Sequence, residues 1–158
     1  RERLILALVL NHPTLLDDVD EALDMLDFNT PVLDRLRRQI LEHFGSRHAL
    51  DVTGLKDNLT DSALSHVIDQ LTGVEAAKLA PFARAEASLD EARKGWSGVY
   101  RMHQLSGLEA DLQAALEAWS RESTEENEAR LLAVQAALDQ ARRQATAFGE
   151  QGQNGVPF

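Results

Sequence analysis

The sequence predicts an all-α protein: a helical bundle, then a long helix and a C-terminal antiparallel helical hairpin. Three observations carry this reading. Apolar residues recur at three- and four-residue steps through almost every segment, prolines and glycines fall where helices should start and stop, and no stretch alternates apolar with polar in the manner of a strand.

The first element is set by LILALVL at residues 4–10, with a basic Arg-Glu-Arg before it. A membrane-spanning helix needs about 20 apolar residues to cross roughly 30 Å of hydrocarbon. The run meets Asn11-His12-Pro13 and a second apolar pattern, without the small residues of a leader cleavage site. It reads as a helix apolar on every side, hence buried. Pro13 suits a first helical position, with Leu15, Leu16, Val19, Leu23 and Leu26 on the face that follows. Thr30-Pro31 is an N-cap followed by proline at the first helical position. Leu33, Leu36, Ile40, Leu41 and Phe44 form that helix's stripe, and Gly45 is its expected stop. A short helix or turn is expected around Val52–Leu59. Thr60 should cap another, with Leu64, Val67, Ile68 and Leu71 inside and Gly73 at its end.

From about Pro81 the composition shifts to good helix formers, Ala, Glu, Leu, Arg and Gln, with no proline between Phe82 and Glu122. Gly95 and Gly98 flank Trp96 and mark either a close packing contact or a bend. Leu105, Leu108, Leu112, Leu116 and Trp119 continue one stripe. After a turn at 120–127, where Ser123 and Glu126 make a capping-box pattern, Leu131, Val134, Leu138, Ala141, Ala145 and Phe148 make another. Two such stripes joined by a short acidic turn describe a hairpin. The expected division is 1–95 for the bundle, 96–150 for the long helix and hairpin, and 151–158 for a Gly-rich tail.

Charge and composition exclude several function classes. The 158 residues carry 26 acids against 16 Lys and Arg, a net charge of −10, opposite to the balance of a phosphate-gripping protein. Direct nucleic-acid binding and membrane insertion are not expected, and protein partners are. The absence of cysteine removes disulfides, thiolate metal sites and a Cys nucleophile, and fits a cytoplasmic protein. The Arg start, in place of Met, fits a piece of a longer chain.

Chemistry-bearing constellations are missing as well. Asp18-x-Asp20 superficially matches a magnesium motif, but residues two apart on a helix point in different directions. Asp17, Asp20, Glu21 and Asp24 should share a solvated face, with an acidic protein-docking patch as a second reading. His12, His43, His48, His66 and His103 lack a metal-binding spacing. Arg35, Arg37 and Arg38 read as a solvated basic face. No phosphate-binding loop or nucleophile elbow is present, so no catalytic residue, metal ligand or cofactor is expected.

Particular stretches nevertheless carry a resemblance. RERLILALVLNHPTLLDDVDEAL, then Leu26-Asp27-Phe28, then a Pro-started helix with Leu33-Asp34-x-Leu36-Arg37, resembles the C-terminal domain of bacterial DNA primase. Trp96 and the STEENEARL turn fit the same pattern. The likeness extends over the chain and is strongest across residues 1–41. It implies a non-catalytic helicase-binding domain, whose front bundle stimulates the replicative helicase and whose terminal hairpin anchors on the helicase N-terminal domain. The zinc ribbon and polymerase core of such a primase would lie upstream. Arg130, Arg142 and Arg143, the cations after Arg121, are candidate contacts, with Trp119 and Phe148 as apolar anchors. An exposed hairpin is also open to domain swapping into a dimer. Two other readings remain: the N-terminal domain of the replicative helicase itself, and a generic helical scaffold.

Overall fold

The computed structural model describes the backbone of residues 1–151 and, apart from Ala77 and residues 146–151, their side chains. The expected tail beyond Gln151 lies outside the described residues. Every regular element among them is helical: α1 (Glu2–Asn11), α2 (Leu16–Asp24), α3 (Pro31–Arg47), α4 (Val52–Asn58), α5 (Ser62–Thr72), α6 (Leu89–Arg121) and α7 (Glu125–Gln151). Short 3₁₀ turns lie at Pro13–Leu15, Val74–Lys78 and Pro81–Ala83. The chain divides into two compact units, Arg1–Tyr100 and Arg101–Phe158.

The first unit is organised around α1, whose residues Ile5 to Leu10 are all 3% exposed or less. Leu23, Leu36, Ile40, Ile68 and Leu71 from α2, α3 and α5 join the same core. Each large apolar side chain buried this way contributes about 1.5–3 kcal/mol. A helix apolar all round has no solvated side, so its end needs internal hydrogen-bond partners. At that end the Asn11 and His12 side chains donate to carbonyls of neighbouring elements. The Asn11 amide donates to the Leu71 carbonyl at 3.0 Å and the Ala83 carbonyl at 2.8 Å. His12 Nε2 lies 2.9 Å from the Arg84 carbonyl and must donate to it. The Asn-His-Pro stretch is thus a clamp that ties α1 to the end of α5 and to the Pro81–Ala83 turn.

Several boundaries differ from the sequence expectation. Gly45 lies inside α3 and does not stop it; the helix ends at His48, in the left-handed region at φ 53°, with its N–H on the Phe44 carbonyl at 2.7 Å. Thr30 stands at the N-cap of α3 without its hydroxyl capping, and the Glu2 carboxylate accepts the N–H groups of Asn29 and Thr30. The cap of α5 is Asp61, accepting from Ala63 N–H at 2.9 Å, one residue beyond Thr60. Helix α6 starts at Leu89, well past Pro81, because Ser88 and Glu91 close a capping box. Ser88 N–H and Oγ donate to Glu91 Oε2 at 2.8 and 2.9 Å, and Glu91 N–H returns to Ser88 Oγ at 3.2 Å. The Ser88 backbone bond, followed by that of its hydroxyl, holds the Glu91 carboxyl below the usual glutamate range.

The arginine cluster is not a uniformly solvated face. Arg35 and Arg38 are exposed and paired with Asp61 and Asp34, but Arg37 is buried at 7% exposure. Its NH1 donates to the Leu23 and Asp24 carbonyls at 3.1 and 2.8 Å, closing the C-terminus of α2. Its Nε and NH2 both reach Asp34 Oδ1, and Phe28 lies 5.6 Å from its guanidinium carbon.

The first unit runs to Tyr100 instead of ending at 95, because Trp96 and Val99 belong to its core and Trp96 stacks on Tyr100 at 5.9 Å. Helix α6 continues through both glycines. Gly95 is a close packing contact: a Cβ there would sit 2.2 Å from Phe82 Cδ2, whereas one at Gly98 would meet nothing within 4 Å. Alanine improves helix propensity by about 1 kcal/mol at either position, while overpacking costs about 1–3 kcal/mol. Gly98→Ala should therefore raise the urea midpoint of unfolding and Gly95→Ala should lower it. Equal shifts for the two variants would show that the Phe82 contact has no energetic weight.

Candidate functional site

In the second unit the part of α6 from Arg101 onward and α7 are joined by residues 122–124. Thr124 is the N-cap of α7, its hydroxyl accepting from Asn127 N–H at 3.2 Å. The expected Ser123–Glu126 box does not form, and Ser123 Oγ donates back to the Trp119 carbonyl. The Asn127 amide donates to the Glu122 carbonyl at 2.8 Å and reaches that of Ala118 at 3.4 Å. Farther along, Arg142 donates to Glu109 at 3.1 Å. Position 127 with 118 and 142 with 109 define an antiparallel register within this unit.

The seam is narrow. Only Ala115 and Leu138 are fully buried among the described residues of this unit, at 1% and 2% exposure. Leu105, Leu108, Leu112, Leu131, Val134, Ala141 and Ala145 are half-buried along it. The α7 stripe is the expected one up to Ala145. The α6 stripe is not: Leu116 and Trp119 are 39% and 41% exposed, because the small side chains of Ala115 and Ala118 take the inward track. At that level α7 presents polar Asn127, whose amide is engaged with the end of α6, so no apolar side chain draws Trp119 in.

The candidate residues fall at different places on this unit. Trp119 is on the last turns of α6, near the connecting turn. Arg130 and Arg143 are exposed on α7 with no ion pair among the described residues. Arg142 is exposed and paired with Glu109. Phe148 lies on α7, but its side chain is outside the described residues. The structure does not gather the three arginines around Trp119. Leu132, 58% exposed, was missed by periodicity because it lies one residue outside the α7 stripe.

The other constellations resolve into local pairings. Asp17, Glu21 and Asp24 are exposed and Asp20 is half-buried, so the acidic face of α2 is largely solvated. Asp18 accepts from Arg93 of α6, at 3.0 Å from Nε and 2.8 Å from NH2. No group of three or more His, Asp and Glu among the described residues could hold a metal ion. His12 is in the clamp, His48 caps α3, His66 pairs with Gln70, and His43 is buried with Nε2 unpartnered. A surface cleft of about 260 Å³ in the first unit is lined by Arg35, Arg38, Gln39, Asn58 and Leu59 among others. Both arginines there are already engaged in ion pairs, Arg35 with Asp61 and Arg38 with Asp34.

No helix among the described residues is long and apolar enough to cross a membrane. In comparisons with known proteins, no family model, no curated protein and no solved structure matches this chain.

Proposed function

We propose that this chain is a non-catalytic protein-interaction domain of a cytoplasmic bacterial DNA primase, binding the N-terminal domain of the replicative helicase and so coupling primer synthesis to the fork. The observation that carries the reading is the second unit, which buries little between its helices and turns the large apolar side chains of Leu116, Trp119 and Leu132 to solvent. A large apolar side chain left exposed on a thin helix pair is a feature of docking surfaces. The resemblance over residues 1–41 supplies the partner. Its marker residues have packing roles: Asn11 and His12 clamp α1, and Phe28 lies beside the Arg37 guanidinium. A domain that works by adhesion needs no cofactor, and its negative charge suits a protein partner better than DNA.

The test is calorimetric binding of the helicase N-terminal domain to the whole chain and to a chain lacking residues 102–158. The truncation should weaken binding by about 100-fold or more, roughly 2.7 kcal/mol. Equal affinity would overturn the anchoring role of the second unit. Arg130→Ala, Arg142→Ala and Arg143→Ala, each on an exposed side chain, then report which cations contribute.

A further inference from the structure

Leu116 and Leu132 each stand one residue past a seam position, Ala115 and Leu131 respectively. In an antiparallel helix pair that offset places both on the same side. The register set by Asn127 on Ala118 and Arg142 on Glu109 brings position 132 level with position 116. Trp119, three residues on from Leu116, is its neighbour on the helix surface. Leu116, Trp119 and Leu132 therefore share the turn end of the second unit, while exposed Met102 lies at the start of the unit, away from the turn.

The border of this patch is acidic. Glu117, Glu122, Glu125, Glu126 and Glu128 are all exposed around the turn. The three on α7 are accounted for by the positive end of that helix dipole. Glu117 and Glu122 are not, because they sit at the C-terminal end of α6, where a carboxylate is unfavourable and a cation is favoured. The Glu117 carboxylate accepts from the Gln113 amide at 3.3 Å and pairs with Arg121 at 3.9 Å, whereas Glu122 has no ion pair among the described residues. Glu117 is accounted for by its i,i+4 pairing with Arg121, and helix stability gives no reason for negative charge at Glu122.

We infer that the turn end of the second unit is the docking surface for the helicase N-terminal domain, and that its complement there is an apolar groove bordered by lysines or arginines. This rests on the helicase reading above. Apolar contact through Trp119 and Leu116 holds the complex, while the carboxylates steer association. A second copy of this chain is a poor occupant, since two acidic rims would meet.

The experiment follows association and dissociation of the whole chain with the helicase N-terminal domain across a salt series. Trp119→Ser and Leu116→Ser are compared with the double variant Glu117→Gln/Glu122→Gln, and melting is recorded for each. Trp119→Ser should weaken affinity by about 30-fold, mostly through faster dissociation. The double variant should associate about 10-fold more slowly at low salt and with a flatter salt dependence, its melting temperature little changed. Binding by the native chain that none of these variants alters overturns this surface and leaves the helicase reading standing. An unchanged or faster association of the double variant overturns the basic-rimmed groove. No binding by the native chain overturns both.

Discussion

Arg37→Met should destabilise the first unit by about 3 kcal/mol, through loss of charge-assisted hydrogen bonds worth about 1.5–3 kcal/mol each. The guanidinium is 7% exposed and serves three acceptors at once: the Leu23 and Asp24 carbonyls and the Asp34 carboxylate. Methionine fills much of the same volume, so the loss measures the guanidinium's hydrogen bonds more than a cavity. Arg37→Lys should recover only part of it, since one ammonium cannot reproduce the planar fork that reaches carbonyls on one side and a carboxylate on the other. Arg38→Ala is the control. Its side chain is 69% exposed and shares Asp34, so its loss should cost under about 1 kcal/mol. Urea unfolding at neutral pH separates the two, and similar midpoints for both variants would show that Arg37 is not a structural cap.

Leu138→Ala should have the second-largest effect and a different distribution. Leu138 is 2% exposed in a seam whose one other fully buried described side chain is Ala115. Leucine-to-alanine changes in cores cost about 2–5 kcal/mol, less where the site can collapse. A two-helix seam open at both edges collapses readily, so about 2–3 kcal/mol is expected. Amide exchange should quicken along α7 and the second half of α6, while α1 keeps its protection, because Leu138 takes no part in the core built on α1. Leu132→Ala, at a 58% exposed position, should shift stability by no more than about 0.5 kcal/mol. Exchange that quickens equally in α1 and α7 would show that the two units unfold as one.

The helical class and the burial of α1 were legible because both depend on local pattern: an apolar run too short for a membrane, then stripes at helical spacing. Helix ends were less so. Thr60 and Asp61 are adjacent capping residues, as are Ser123 and Thr124, and the chemistry of either fits a start. The choice is made by which backbone N–H the fold aims at the side chain. Gly45 failed as a stop because exposed glycine is tolerated within α3, while His48 accepts the left-handed turn. Arg37 was illegible for another reason: its carbonyl acceptors lie 13 and 14 residues earlier, on a different helix. Ser88-x-x-Glu91 was readable, but the surrounding helix-forming composition masked the start. At the candidate site the error was one track of a helix. Counting only large apolar residues runs the α6 stripe through Leu116 and Trp119, while packing uses Ala115, and the displaced residues are those on which the proposed docking surface rests.

The clamp at the end of α1 also has a consequence for synthesis on the ribosome. The acceptors of Asn11 lie 60 and 72 residues later in the chain. At about 5–20 residues per second, the ribosome needs roughly 4–15 s to deliver the second of them. For that interval α1 exists as an apolar segment with no finished core to enter. Of all segments in the first unit, it is the one that a holding chaperone would meet first, and a stalled nascent chain ending before Ala83 should aggregate through it.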